Sequence, residues 1–303
     1  GDGIVELGKI NRNVFVLTGD LSESTRADKF QKLYPDRFLN MGISEQDLMG
    51  TAVGLALSGK IPFVCSFSVF IGCRAYDQIR VSLCYNNQNV KIAATHSGLT
   101  VGADGATAQA LEDIAIMRVL PNMSVIVPCD ALEAKKATIA AANFPGPVFL
   151  KLGRQAFPAV TSESDPFQIG KANIMKDGKD LTIIACGIMV GETQKAAKAL
   201  AEEGIDAGII NMHTIKPIDR QAIIKAARTT GAIVTVEEHQ INGGLGSAVA
   251  EVLAKYHPAP VEMVAVEDTF GESGTPQELL DKYGLNWKNI VNRAKAVLQR
   301  KQG

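Results

Sequence analysis

The sequence predicts an α/β protein of two doubly wound parallel-sheet domains, and three observations carry that prediction. Short apolar runs alternate with amphipathic or Ala-rich helical segments along the whole chain, the pattern of consecutive βαβ units. Most of those runs are apolar at every position and close on polar residues, as strands covered on both faces do. The 303-residue length exceeds one average domain, and the alternation is interrupted by a polar stretch around Ser162-Glu163-Ser164-Asp165. The expected division is a first domain at residues 1–157, a linker at 158–179 and a second domain at 180–303.

Taken in order, the first strand lies at residues 13–20, where Val14-Phe15-Val16-Leu17-Thr18 closes on Gly19-Asp20. Ligands gather at such carboxyl ends. Ser24, in the polar loop that follows, either caps a helix or touches a ligand. Phe38-Leu39-Asn40-Met41-Gly42-Ile43-Ser44-Glu45 then forms a short approach into a helix that runs to about Ser58. Ser44 and Asp47 have the spacing of a capping box. Leu48, Met49, Ala52, Val53, Leu55, Ala56 and Leu57 make the helix apolar on nearly every face, so it is expected inside the protein. Glu45 is thereby carried to the edge of a core. There the helix N-terminus favours an ionised carboxylate and apolar surroundings favour a neutral acid, a setting suited to proton exchange.

The strand at 61–66 leads into a helix opened by Phe67 and Phe70, which share a face by their spacing. Such a pair packs in the core or walls a planar heterocycle. Arg74 to Arg80 continue the helix with charges on its outer side, and Cys73 is expected in the core. The strand at 90–96 ends on His96, and the loop beyond it, with Gly98, Gly102 and Gly105, is too flexible to serve packing alone. His96 and Asp104 there suit hydroxyl or phosphate recognition; a local Asx turn is the other reading of Asp104. Strands at 123–128 and 147–152 flank an Ala-rich helix at 132–142. Arg154, just past the second of them, has a fork geometry that suits a phosphate.

The second domain repeats the unit, with strands at 181–186, 207–212, 232–236 and 261–266 and a helix at 192–203. Gly243-Gly244-Leu245-Gly246 lacks the third glycine of the dinucleotide fingerprint and is read as a tight helix entry. His239, after Glu237 and Glu238, is assigned to structure or an interface.

Composition excludes other classes. Lys plus Arg number 31 against 32 Asp plus Glu, a net charge of -1, so there is no basic field for nucleic acid or anionic lipid. The five cysteines, Cys65, Cys73, Cys84, Cys129 and Cys186, show no C-x-x-C spacing and an odd count, against both a metal site and a disulfide framework. They are expected to be reduced and mostly buried. No stretch approaches the roughly 18 consecutive apolar residues of a membrane span, and no signal peptide is read at the N-terminus, so the expected compartment is the cytoplasm.

Several blocks in order, Met41-Gly42-Ile43-Ser44-Glu45-Gln46, Ser66-Phe67-Ser68-Val69-Phe70, Ala94-Thr95-His96, Val101-Gly102-Ala103-Asp104-Gly105 and Thr214-Ile215-Lys216-Pro217-Ile218-Asp219, resemble transketolase. The resemblance covers essentially the whole chain and corresponds to the pyrimidine-binding and C-terminal domains. It implies one subunit of a split enzyme that moves a two-carbon glycolaldehyde unit from a ketose to an aldose with thiamine diphosphate and Mg. By resemblance, Glu45 hydrogen-bonds the aminopyrimidine and is catalytic with His96. Phe67 and Phe70 wall the cofactor, and Asp20 lies near it. Ser24 and Arg154 take the sugar's terminal phosphate, and His96 and Asp104 meet its hydroxyls.

The family's diphosphate and metal motif does not occur in working form, since Gly1-Asp2-Gly3 precedes helical sequence instead of ending a strand. The resemblance therefore assigns the diphosphate and Mg to a partner, an N-terminal transketolase subunit, with an α2β2 heterotetramer as the expected assembly. Three departures bear on the donor. Ala108 stands where many transketolases have a second substrate histidine, Gly153 replaces a serine before Arg154, and a phosphate-binding arginine of the family falls before Gly1. A ketose with another terminal anion, such as a sulfonate, stays open. Gly102-Ala103-Asp104-Gly105 also resembles a deoxyxylulose-phosphate synthase half, and the β subunit of a 2-oxo acid dehydrogenase is related; a noncatalytic assembly subunit is the alternative of another class.

Overall fold

A computed structural model describes residues 1–302. The elements run α1 (Asp2–Ile10), β1 (Val14–Thr18), α2 (Asp28–Leu33), β2 (Phe38–Asn40), α3 (Glu45–Leu57), β3 (Ile61–Phe67), α4 (Tyr76–Gln78), β4 (Lys91–Thr95), α5 (Asp113–Arg118), β5 (Ser124–Ile126), α6 (Ala131–Asn143) and β6 (Val148–Lys151) in the first half. The second half contains β7 (Asn173–Lys176), β8 (Leu181–Ala185), α7 (Met189–Glu202), β9 (Ala207–Asn211), β10 (Thr214–Lys216), α8 (Arg220–Thr230), β11 (Ile233–Gln240), α9 (Leu245–Tyr256), β12 (Val261–Val266), α10 (Pro276–Lys282) and α11 (Trp287–Gln302). π-Helical turns flank α4 at Phe70–Arg74 and Ile79–Tyr85.

Two parallel-dominated sheets result, as the apolar runs predict. The first has the order β10-β5-β6-β4-β3-β1-β2 and the second β12-β11-β8-β9-β7. β3 and β4 lie centrally and pair in parallel, with Phe67 opposite Thr95, so the residues just past each are neighbours at one sheet edge. Two strands depart from the simple division. β7 falls within the stretch expected to be linker and pairs antiparallel with β9. β10 leaves the second half to pair antiparallel with β5, as the edge of the first sheet. One buried apolar cluster accordingly runs from Leu17, Val64 and Phe149 through to Ile184, Met212 and Leu245.

The structure corrects several local expectations. α3 buries Leu48, Met49, Ala52 and Val53, but Gln46, Asp47, Gly50, Gly54 and Leu57 are exposed. One flank of this apolar helix therefore has no cover among the described residues. Ser44 stands at the N-cap without a capping bond; its hydroxyl donates to the Met41 carbonyl at 2.9 Å instead, so the Ser44/Asp47 box does not form. Phe67 ends β3 instead of opening a helix. Cys73 is exposed, not core, because the π-helical turn swings it outward, while the other four free cysteines are buried.

Candidate active site

The carboxyl ends of the first sheet gather most of the predicted residues. Glu45, the first residue of α3, has its side chain 6% exposed. Its Oε1 accepts from Arg74 Nη1 at 2.9 Å, and the Arg74 guanidinium lies 4.2 Å from the centroid of the Phe70 ring. Phe70 stacks on Phe67 at 5.5 Å between centroids, and Phe67 stacks on His96 at 3.7 Å and 15°. Glu45, Arg74, Phe70, Phe67 and His96 thus form one continuous array from α3 to the end of β4. Phe67 and Phe70 do stack, although they belong to a strand end and a π-turn and not to one helix face.

Three non-glycine residues here adopt left-handed backbone: Asp20 at φ 61, Arg26 at φ 61 and His96 at φ 54. Such conformations cost on the order of 1–3 kcal/mol each and persist where the surroundings dictate them, often at binding sites. For His96 the conformation turns the ring back over Phe67. Its Nδ1 lies 3.1 Å from the Thr95 hydroxyl. Burial, reinforced by the nearby Arg154 charge and opposed by Asp104, pushes the imidazole down to about 4. His96 is therefore neutral at physiological pH and can donate from one ring nitrogen while accepting at the other.

A cleft of about 610 Å³ opens beside this array, lined among others by Ser24, Arg26, His96, Asp130, Gly153 and Arg154. Ser24, His96 and Arg154 are thus brought together, from the loops after β1, β4 and β6. Arg154 donates to the Val101 carbonyl at 2.7 Å and to Asp104 Oδ1 at 3.1 Å, which draws Asp104 to the same guanidinium and closes the glycine-rich loop over the strand ends. Asp20 lies apart from this cleft, exposed, its Oδ1 accepting from Asn40 Nδ2 at 3.2 Å across β1 and β2. Ala108 is buried and does not line the cleft, whereas a side chain at Gly153 would meet open space.

Sequence reasoning missed Arg74, read as outward-facing, and a buried group formed by Asp113 and Lys151 beneath the site. A signal for the latter existed: Lys151 closes the otherwise apolar run Val148-Phe149-Leu150, and a charge at the end of a doubly covered strand needs a partner. No comparable signal marks Arg74, whose reach depends on the π-turn.

The residues fit an aminopyrimidine ring. Glu45 offers a carboxylate at a helix start with its other oxygen unengaged by protein, and the adjoining aromatic stack offers a flat apolar wall. Among the described residues no group of three or more His, Cys, Asp and Glu side chains is placed to hold a metal ion, and no helix is long and apolar enough to cross a membrane.

Comparison with known proteins identifies the family of both halves of the chain. Residues 1–159 match the family described as transketolase, pyrimidine binding domain, and residues 170–290 match transketolase, C-terminal domain. A solved structure titled "Split gene transketolase, inactive beta4 tetramer" superposes with a TM-score of 0.93 at 51% identity, covering 99% of this chain and 97% of that one. The 6-deoxy-6-sulfo-D-fructose transketolase subunit SqwH of a Clostridium species is 39% identical over 99% of this chain and 93% of its own length. An apulose-4-phosphate transketolase subunit of Phocaeicola vulgatus is 40% identical, covering 97% of this chain and 94% of its own length.

Proposed function

The chain belongs to the transketolase family, and from that premise we propose that it is the subunit of a split, two-chain transketolase that supplies the pyrimidine side of the thiamine diphosphate site and part of the sugar cleft. The observation that carries this reading is the continuous array from Glu45 through Phe70 and Phe67 to His96, which joins a planar-ring wall to a cleft lined by Ser24 and Arg154. When bound, thiamine diphosphate supplies the nucleophilic carbon that carries the two-carbon unit. The chain's own residues do the rest.

Glu45 hydrogen-bonds the ring nitrogen of the aminopyrimidine and holds or releases a proton there. Because Arg74 already holds one Glu45 oxygen, the carboxylate is fixed in direction before the ring arrives. Phe67 and Phe70 exclude water from that exchange, so the proton stays between two groups and does not leak to solvent. Neutral His96 bonds a sugar hydroxyl and moves a proton at the carbonyl being attacked, with catalytic weight typical of a positioned base. Arg154 meets the terminal anion with charge-assisted bonds, Ser24 adds a hydroxyl, and Asp104 either orients Arg154 or meets a sugar hydroxyl when Arg154 turns to its anion. Asp20 lies on the cofactor side. The diphosphate and Mg belong to the partner chain, in an α2β2 assembly in which the exposed flank of α3 is covered.

The donor carries a terminal anion. A sulfonate sugar for one relative and a phosphate sugar for another are both consistent with a cleft whose anion end is widened by Gly153. The test is to co-express the chain with a subunit carrying the diphosphate-binding half and assay two-carbon transfer from xylulose 5-phosphate to ribose 5-phosphate with thiamine diphosphate and Mg. Sedoheptulose phosphate formed only when both chains are present supports the reading. Release of carbon dioxide from pyruvate or another 2-oxo acid refutes it. Transfer only from an altered ketose assigns the donor.

A further inference from the structure

Beneath the array lies a polar node that none of the roles above uses. Asp113, the first residue of α5, is 1% exposed, yet its carboxylate receives three side chains. Oδ2 accepts from the Ser68 hydroxyl at 2.7 Å and also from the Ser97 hydroxyl. Oδ1 accepts from Lys151 Nζ at 2.7 Å, and the same ammonium donates to Ser97 Oγ at 2.5 Å. Burial by itself pushes the Asp113 carboxyl up, but the Lys151 charge, helped by His239 and by the bonds from Lys151 and Ser97, overcomes that and holds it below the usual carboxylate range. The node is a buried ion pair, with Lys151 5% and Asp113 2% exposed in their side chains, and losing one partner there is far more damaging than at the surface.

The sequence positions of the three ligands of Asp113 give the node its meaning. Ser68 lies between Phe67 and Phe70, in the aromatic wall. Ser97 follows His96, whose left-handed backbone needs an external constraint. Lys151 ends β6, from which the chain runs on to Arg154. One carboxylate thus ties together the ends of β3, β4 and β6, the three strands that deliver the ring wall, the sugar histidine and the anion-binding arginine. The second domain closes over the node: His239 Nε2 accepts from the Ala115 backbone N–H at 3.3 Å, and Glu238 Oε1 accepts from the Thr100 N–H at 2.7 Å.

We propose that Asp113, charge-paired with Lys151, is a positioning residue that sets the aromatic wall and His96 relative to each other through Ser68 and Ser97, and so couples the ring pocket to the sugar cleft. The proposal rests on the transfer function proposed above. It assigns different duties to the two hydroxyls: Ser68 serves the cofactor side and Ser97 the sugar side.

The experiment uses the chain assembled with its partner and measures three quantities for each variant: the dissociation constant for thiamine diphosphate by calorimetry, KM and kcat for the ketose at saturating cofactor, and the melting temperature. One lost hydrogen bond predicts changes of about fivefold. Ser97→Ala raises the ketose KM by that factor and leaves the cofactor constant within about twofold; Ser68→Ala does the reverse. Asp113→Asn shifts both constants. Should it fail to fold because Lys151 is left unpaired, the double variant Asp113→Asn/Lys151→Met, which removes both charges, carries the same expectation. Ser68→Ala or Ser97→Ala variants that change both constants together, or neither, or that only follow the melting temperature, overturn the proposal. A wild-type complex that binds cofactor but transfers no two-carbon unit refutes the functional reading instead, and the node is then judged on whether Ser68→Ala and Ser97→Ala differ in cofactor affinity.

Discussion

The strand ends of the two domains invite comparison, because the same architectural position serves opposite ends. After β1, β4 and β6 the chain leaves Ser24, His96 and Arg154 facing a cleft open to solvent. Along β9 and β11 and just beyond, Asn211, His213, Glu237, Glu238 and His239 are all buried, most of them where the second domain meets the first. In the second set most groups have a partner in place, the buried Asn211 Oδ1 being an exception. Glu237 accepts from the Leu245 and Gly246 N–H groups at the start of α9 at 2.7 and 2.8 Å, and Asn211 donates to Glu133 across the junction at 2.8 Å. A site needs polar groups with capacity left over for a ligand, and a seal needs that capacity used up. Polarity at a strand's carboxyl end therefore does not by itself mark a site; unspent hydrogen-bonding capacity beside an opening does.

If the open set does chemistry, its substitutions alter rates and leave stability nearly untouched. Glu45→Gln is the largest case: turnover of the assembled enzyme falls by about two to four orders of magnitude, because an amide cannot exchange the proton, while cofactor still binds by calorimetry. Normal turnover would break the comparison at its strongest point. If the sealed set is structural, the reverse holds there. Asn211→Ala leaves the buried Glu133 carboxylate short of a donor and destabilises the chain by about 1–3 kcal/mol, read by denaturant unfolding, with kcat of the complex unchanged.

The seal also has a pH signature. Burial pushes Glu238 up to about 7 from its usual 4.5, Lys151 and the Thr100 bonds opposing. The folded state therefore binds the proton more tightly than the unfolded chain, and stability falls as pH rises from 4.5 through 7. Glu238→Gln lacks this titration, so relative to it the wild type should lose about 2–3 kcal/mol of stability between pH 5 and pH 8; a constant difference would remove Glu238 from the account. The histidines act oppositely. Burial is the leading cause that holds His96, His213 and His239 at about 4, below the usual 6.5, so their share of stability is lost as pH falls from 6.5 through 4. The smallest expected effect belongs to the cleft. Gly153→Ser, which meets open space, should change KM for a phosphorylated ketose by about two- to fivefold through one added hydrogen bond, with an unphosphorylated ketose unaffected.

The sheets were largely legible because strands covered on both faces are mostly apolar, and β3, β4, β6, β8 and β9 each carry only one or two polar residues, such as Ser66, Lys91, Lys151, Thr182 and Asn211. β7 and β10 were not, since Asn173-Ile174-Met175-Lys176 and Thr214-Ile215-Lys216 are short and half polar and acquire strand geometry only from the neighbour they pair with. At the site, residue types pointed to Glu45, His96 and Arg154, and the structure places them along one array and its adjoining cleft. The left-handed backbone at Asp20 and His96 was invisible, because neither residue type demands it. The uncovered flank of α3 was invisible for another reason: an apolar helix reads the same whether its cover lies in its own chain or in another.

β10 has a consequence for how the molecule can be made. The first sheet takes its last strand from residues that emerge after the linker and after β8, α7 and β9 of the second domain, so the first half of the nascent chain leaves the ribosome with β5 as a bare edge, able to pair with another extended segment until Thr214–Lys216 arrives. The two domains therefore do not complete their sheets independently: without the second one, the first leaves β5 as an exposed edge.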